Sequence, residues 1–496
     1  MEINLNTRTV PCCRELFRQT KLVQEHAEAV VPDVNDDIGK IAWSEAQICL
    51  KSKECGPQGV SVGALADISV FYLTETRDRV LCTRFSKDFF VEFDCVGLEA
   101  ESQAQVSLRV LGVQARALNP RKLGVDFTLR AELGCYSEEC MTASVTAESE
   151  EARELQFLRE QSGCIALSSV CEKSFVVSEQ IPVPQEGMER LVSAQAVLIS
   201  GDCQMIGGKA LVKGGAELRF GLESGDGKAP VFAEQCIPFS VLIDSGEEDC
   251  SLAGLILQPT ALYADLSDSI NGGRVIELEL HAAAQASFEK SIALDYIVDA
   301  YSTRCPLRCE ENTLEVLIGR DRQELCAESA ESIALAAEGA ELRAQHTELL
   351  SYAARDGSAS ASAAVSVLLQ NPDGSFDTLQ KLLTLEAALP SPDWTVESVK
   401  LTTLSVQTAG DKLEIMLSAC FHCLLAERRE LRCLSSVESD EENAYDLTSL
   451  PSLSVVNRRG RSLWELAKRY HSGTEAIERL NEKYPMQGEL LLIPRI

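Results

Sequence analysis

Aromatic residues make up only 5% of this 496-residue chain, histidine occurs five times, and basic residues are outnumbered, 46 Lys and Arg standing against 76 Asp and Glu. The resulting formal charge of −30 repels a phosphate backbone over most of the surface, which argues against general nucleic-acid binding. No segment approaches the ~18 consecutive apolar residues of a membrane span. The first residues, Met1 to Arg18, carry Glu2, Arg8, Arg14, Glu15 and Arg18 and lack the apolar region of a secretory signal. The expectation is a soluble protein of a cytosol, with its 19 cysteines held as thiols.

What the chain does have is 45% hydrophobic residues, enough to fill real cores, and a length beyond the ~250 to 300 residues at which one core stops growing. It also repeats itself. The stretch from Gly59 to Asp94 has a counterpart from Gly208 to Asp244, with Phe71 set against Phe220 and Phe89 against Phe239. Cys135 to Cys140 is set against Ala300 to Cys305, and a weaker third copy runs through Val365, Val367 and Leu368 to Lys412–Phe421. Copies this long are tandem domains, since solenoid units span ~20 to 50 residues.

Apolar residues alternate within each copy, as at Leu123, Val125, Phe127 and Leu129 or Leu413, Ile415, Leu417 and Ala419, which is the period of a half-buried strand. Turn residues such as Asn119-Pro120 and Asn371-Pro372-Asp373-Gly374 punctuate the strands. The fold class expected is mainly β: antiparallel sandwich- or barrel-like domains over 1–150, 151–325 and 326–434, then an acidic linker over 435–451 and a small α+β module over 452–496. Ala, Glu and Leu at 146–159 and 327–345 suggest short helices between domains. Ser435 to Asp446, with five carboxylates, reads as solvated linker.

In the last segment the charge changes sign, eight Lys and Arg against five Glu giving +3 and leaving −33 for the rest. Val455 and Val456 read as a strand. Ser462 with Glu465 three residues on is a capping box, and Leu463, Leu466 and Ala467 give the helix an apolar stripe. Gly473 and Thr474 separate it from a second helix carrying Ala476, Ile477 and Leu480; Leu490, Leu492 and Ile493 close the segment as a strand before Pro494.

This segment resembles a LysM module through Gly460, Leu463, Trp464, Ala467, Tyr470, Thr474, Ile477, Leu480, Asn481, Gly488, Leu490, Leu492, Ile493 and Pro494. The resemblance implies a groove formed by Gly460, Arg461, Ser462, Leu463 and Trp464 on one side and Tyr484, Met486, Gln487 and Gly488 on the other. Arg461 stands where the family carries Asp, and Arg458, Arg459 and Arg461 form a basic patch beside the groove. The upstream repeats resemble the SPOCS domain of spore-forming bacteria through Val31-Pro32-Asp33, Asn119-Pro120-Arg121-Lys122 and the pairs Tyr136-Ser137 and Tyr301-Ser302. Together the two resemblances imply a scaffold of spore coat assembly, in the mother-cell cytosol at the forespore surface. Its LysM would bind a coat morphogenetic ATPase (SpoIVA-like); peptidoglycan is the alternative partner.

Motifs of chemistry are weak by comparison. Gly59-Val60-Ser61-Val62-Gly63 matches a hydrolase elbow, which requires strand, turn and helix, whereas strand-like residues follow it here. Gly207-Gly208-Lys209 lacks the first glycine and the Ser or Thr of a P-loop. On a strand, Cys420 and Cys423 of the CxxC pair face opposite ways. Cys305, Cys309 and Cys326 lack a histidine cluster, and no HExxH motif is present. No catalytic residue, metal site or cofactor is expected.

Overall fold

The computed structural model describes residues 5–95, 97–98, 102–147, 154–183, 185, 187–225, 228–269, 272–449 and 451–495. Eighteen strands form three copies of one six-strand pattern. The first copy comprises β1 (Leu5–Val30), β2 (Ile38–Gly56), β3 (Gly59–Thr74), β4 (Val80–Asp94), β5 (Gln103–Asn119) and β6 (Lys122–Ala147). The second comprises β7 (Leu155–Pro182), β8 (Met188–Ile206), β9 (Lys209–Ser224), β10 (Val231–Asp244), β11 (Ser251–Asp268) and β12 (Arg274–Ser302). The third comprises β13 (Leu307–Ala334), β14 (Glu341–Arg355), β15 (Ser358–Gln370), β16 (Phe376–Ala388), β17 (Thr395–Ala409) and β18 (Lys412–Ser439).

In every copy the second, third and fourth strands form an antiparallel meander, while the sixth lies between the first and fifth in the facing sheet. The alternation dictates this layering. In repeat one, Val62, Ala66, Ile68 and Val70 of β3 meet Leu123, Val125, Phe127 and Leu129 of β6 in one buried cluster. Bulges recur too: the ladder between first and sixth strands skips Leu16, Ser168 and Ile318 at corresponding places. A bulge costs a ladder bond and turns the strand, so its retention in three copies marks a built feature. The segments at Val31 and Asn119 meet at one end of repeat one, where Val31 N–H donates to the Arg121 carbonyl (2.9 Å) and Arg121 pairs with Asp37 (2.6 Å).

Several expectations are corrected. The boundary at 325/326 cuts through β13, so the third copy begins at Leu307. No helices join the repeats at the described residues of 146–159 and 327–345: β6 ends and β7 begins in the first stretch, β13 and β14 occupy the second, and 148–153 lie outside the described residues. Alternation overrides Ala and Glu propensity where a sheet face must be filled. Hairpin register places Val70, not Phe71, against Phe220, because Gly59 and Lys209 both open their strands opposite a terminal aspartate, Asp94 and Asp244. Tyr136 sits mid-strand in β6 opposite the bulge of β1, whereas Tyr301 sits at the end of β12, so the two Tyr-Ser pairs are not equivalent. The acidic linker is ordered. Ser435–Ser439 finishes β18, Asp440 N–H donates to the Pro306 carbonyl (2.9 Å), and Tyr445 N–H donates to the Arg304 carbonyl (2.8 Å).

Cys326 and Cys420 stand opposite one another on β13 and β18 with Cα atoms 4.4 Å apart and are joined as a disulfide, contrary to the expectation of thiols throughout. Phe421 and Cys423 are buried while Cys420 and His422 lie partly exposed, as the strand period requires. Ser61 lies inside β3 and donates to Glu92 (2.7 Å); Gly207 and Gly208 form the β8–β9 hairpin turn with φ of 52° and 73°.

The repeats pack on one another through buried polar groups. Arg219 of β9 reaches Glu45 of β2 (3.3 Å) and His346 of β14 (3.1 Å), uniting three repeats around one guanidinium. Burial pushes the Glu45 carboxyl up, against the pull of Arg219; burial and Arg219 together push His346 down to about 3. The outer edge of β5 is sealed in the same way: Val106 and Leu108 N–H donate to Gln285 (2.8 Å) and Gln258 (2.9 Å) of repeat two, and Val113 N–H to Glu348 (3.1 Å) of repeat three. Among the described residues, no helix is long and apolar enough to cross a membrane.

Candidate partner-binding surface

The C-terminal segment folds as β19 (Leu453–Asn457), α1 (Leu463–Arg469), α2 (Thr474–Lys483) and β20 (Leu490–Pro494), in the order its sequence spells out. Ser462 caps α1: its hydroxyl accepts from Glu465 N–H (3.1 Å) and its own N–H donates to the Glu465 carboxylate (2.9 Å). Leu466, Ala467, Ile477 and Ile493 make the small core. A core this small needs polar stitching, and Asn481 supplies it. Its amide donates to the carbonyls of Ile477 and Leu492 (2.7 Å each) and accepts from Leu492 N–H (2.8 Å), fastening α2 to β20.

Pairing of Asn457 with Leu490 brings the two expected groove loops to one end of the β19–β20 ribbon. Arg458 N–H donates to the Glu489 carbonyl (2.8 Å), and Arg461 N–H to the Arg458 carbonyl (2.9 Å). Arg459 takes φ 47° and Gly460 φ 75°, a left-handed pair that turns the first loop sharply; Gly488, at φ 69°, does so for the second. Arg461, Ser462, Tyr484, Met486 and Gln487 are exposed. The Arg458 side chain braces the turn through Nε to the Arg461 carbonyl (2.9 Å), while the guanidinium groups of Arg459 and Arg461 make no ion pair among the described residues.

Trp464 is placed elsewhere. Its indole N–H donates to Asp299 (2.8 Å), which also holds Lys468 (2.8 Å), and its ring meets Tyr301 edge-on at 4.8 Å. The Tyr301 hydroxyl donates to the Ser472 carbonyl (2.6 Å), and the ring of Tyr445 in the ordered acidic segment packs against that of His471, tilted by 39° with centroids 4.0 Å apart. A ladder irregularity skips Val298 immediately before Asp299, and such a bulge re-aims the side chain that follows. Trp464 and half-buried Leu463 therefore belong to a seam with repeat two, while the remaining groove residues face outward.

Sequence reasoning missed Asp299 and Tyr301 as the seat of the module, and it missed the Glu45–Arg219–His346 cluster. Only the apolar-polar alternation of their strands was visible, and that says nothing about a partner more than a hundred residues away. No grouping of His, Cys, Asp and Glu able to hold a metal ion occurs among the described residues. Comparison with protein families and with curated proteins finds no match to this chain.

Proposed function

We propose that this chain is a non-enzymatic scaffold similar to the spore coat morphogenesis protein SipL: three SPOCS-like repeats form a rigid body, and a LysM module at its corner binds a coat-assembly ATPase at the forespore surface. The observation that carries the reading is the state of the module's outward end. The guanidinium groups of Arg459 and Arg461 make no ion pair among the described residues there, and Tyr484 and Met486 of the other loop at that end are exposed, while the Trp464 side is already occupied by repeat two. Arginine flanked by exposed aromatic and thioether side chains is the composition of a protein-binding hot spot, and a positive patch on a chain of −30 selects an acidic partner.

The test is sedimentation of the full chain with insoluble peptidoglycan, beside capture of a purified coat-assembly ATPase, using wild type and Arg461→Glu. Capture of the ATPase, slowed about tenfold by the charge reversal and less so at high salt, is the expected outcome. Sedimentation with peptidoglycan and no capture of the ATPase would replace the scaffold reading with glycan binding.

A further inference from the structure

Repeat two contains an open cleft that its sister repeat closes. The cleft lies against repeat one, walled by Val170–Phe175 of β7, Ser240–Asp244 of β10 and Ser102–Gln105 at the start of β5. β10 is the edge strand of its sheet. Ser245 N–H donates to the Gly208 carbonyl (3.0 Å), and peptide groups in an antiparallel pair alternate between facing the partner and facing away. Ser240, Leu242 and Asp244 therefore turn their N–H and C=O groups into the cleft, in phase with Pro238, which has no N–H to offer. None of these groups meets a partner among the described residues.

The matching place in repeat one shows what an occupied edge looks like. Lys21, five residues past the bulge at Leu16, donates to the Glu92 carbonyl of β4 (2.6 Å). Lys173, five residues past the bulge at Ser168, is its counterpart, and Leu242 is the counterpart of Glu92. Yet Lys173 is exposed and makes no such bond. Lys53 and Lys209 also line the cleft, held by Glu172 and Asp244 (3.0 Å for the latter), so one positive charge is left over in a chain of −30. Gln105, 6% exposed, lines it with an amide nitrogen that has no hydrogen-bond partner among the described residues. Leu242 adds an apolar side chain, 48% exposed.

We infer that this cleft is a docking slot for an extended acidic peptide segment of a partner protein, which adds as a strand to the free edge of β10 with its carboxylates toward Lys173. Main-chain pairing supplies affinity in such additions and the lysine supplies the choice of charge. The slot is distinct from the C-terminal module, so the two interactions can fail separately.

The probe is a fluorescent peptide of alternating Glu and Val, titrated into the full chain and read by anisotropy. Controls are the same peptide N-methylated at every residue, which has no amide N–H left on either edge with which to pair, and one with Lys for Glu. Wild type should bind the acidic peptide saturably and tighter than ~1 mM, and neither control. Leu242→Pro, which removes an outward N–H at a phase where Pro238 is already tolerated, should weaken binding about tenfold or more. Lys173→Glu, which leaves the backbone untouched, should do the same, and a chain ending at residue 451 should bind as wild type. Absence of binding, equal binding of the N-methylated peptide, or indifference to Lys173→Glu would overturn the proposal.

Discussion

The body and the module are held together by opposite means. In the body, Arg219 is buried with Glu45 and the uncharged imidazole of His346 where three repeats meet, and edge amides of β5 end on Gln258, Gln285 and Glu348 from the other two. In the module, one capping box, one asparagine and four buried apolar side chains are all local, and a single corner, Asp299 with Tyr301, ties it to repeat two. Buried polar groups fix which surfaces meet, because any other packing leaves them unpaired at a cost of about 1–3 kcal/mol each. The body is thus one cooperative object, and the module is a small domain docked on it.

Breaking the central cluster should show the largest effect. Arg219→Met leaves the Glu45 carboxylate buried without its cation, and loss of one partner of a buried pair costs about 3–5 kcal/mol. Denaturant unfolding should show the body's midpoint lowered, with all three repeats still unfolding together. Separate transitions for the repeats would show that the cluster alone made the body cooperative.

Asn481→Ala strikes the other side of the comparison. It leaves the Leu492 N–H and carbonyl unpaired, for a loss of about 2–3 kcal/mol that the small core cannot absorb. Hydrogen exchange should rise through 453–494 and stay unchanged in the repeats. Spread of the effect into β12 would mean that the two parts are less independent than their contacts suggest.

Asp299→Ala should detach the module without unfolding either part, at about 1–2 kcal/mol for the lost charged hydrogen bonds. Trp464 fluorescence should shift to the red and proteolysis between 440 and 452 should accelerate. An unchanged spectrum would place the anchoring in Tyr301 alone.

The smallest effect is one of pH. Burial pushes the Glu348 carboxyl, which accepts from Val113 N–H across the interface of repeats one and three, up to about 7. The folded state therefore binds a proton more readily than the unfolded one, so this contribution is complete below the ordinary value of 4.5 and is lost as pH rises toward about 7. The melting temperature of wild type should fall more between pH 5 and 8, a range set by ~0.5–1 unit margins around that window, than that of Glu348→Gln. Parallel curves would remove Glu348 from the account.

Much of this architecture was legible without coordinates. The period-two alternation of Leu123 to Leu129 and of Leu413 to Ala419 marks strands, since only that period puts every second side chain on one face. The spacing of Ser462 and Glu465 and the apolar stripes beyond them define the module's helices, because a helix is stabilised by neighbours three and four residues away. Ala-rich 327–345 misled for the complementary reason: helix propensity is worth a few tenths of a kcal/mol per residue, and burial against a sheet outweighs it. The residues decided by their own neighbourhoods were thus determined by the sequence alone. Tertiary structure alone decided that Arg219 would sit between Glu45 and His346, that Trp464 would turn toward Asp299, and that Lys173 would face an open edge while Lys21 faces a closed one. Those outcomes depend on which repeat surfaces meet, and that is settled by packing and by pairing of buried polar groups across more than a hundred residues of chain.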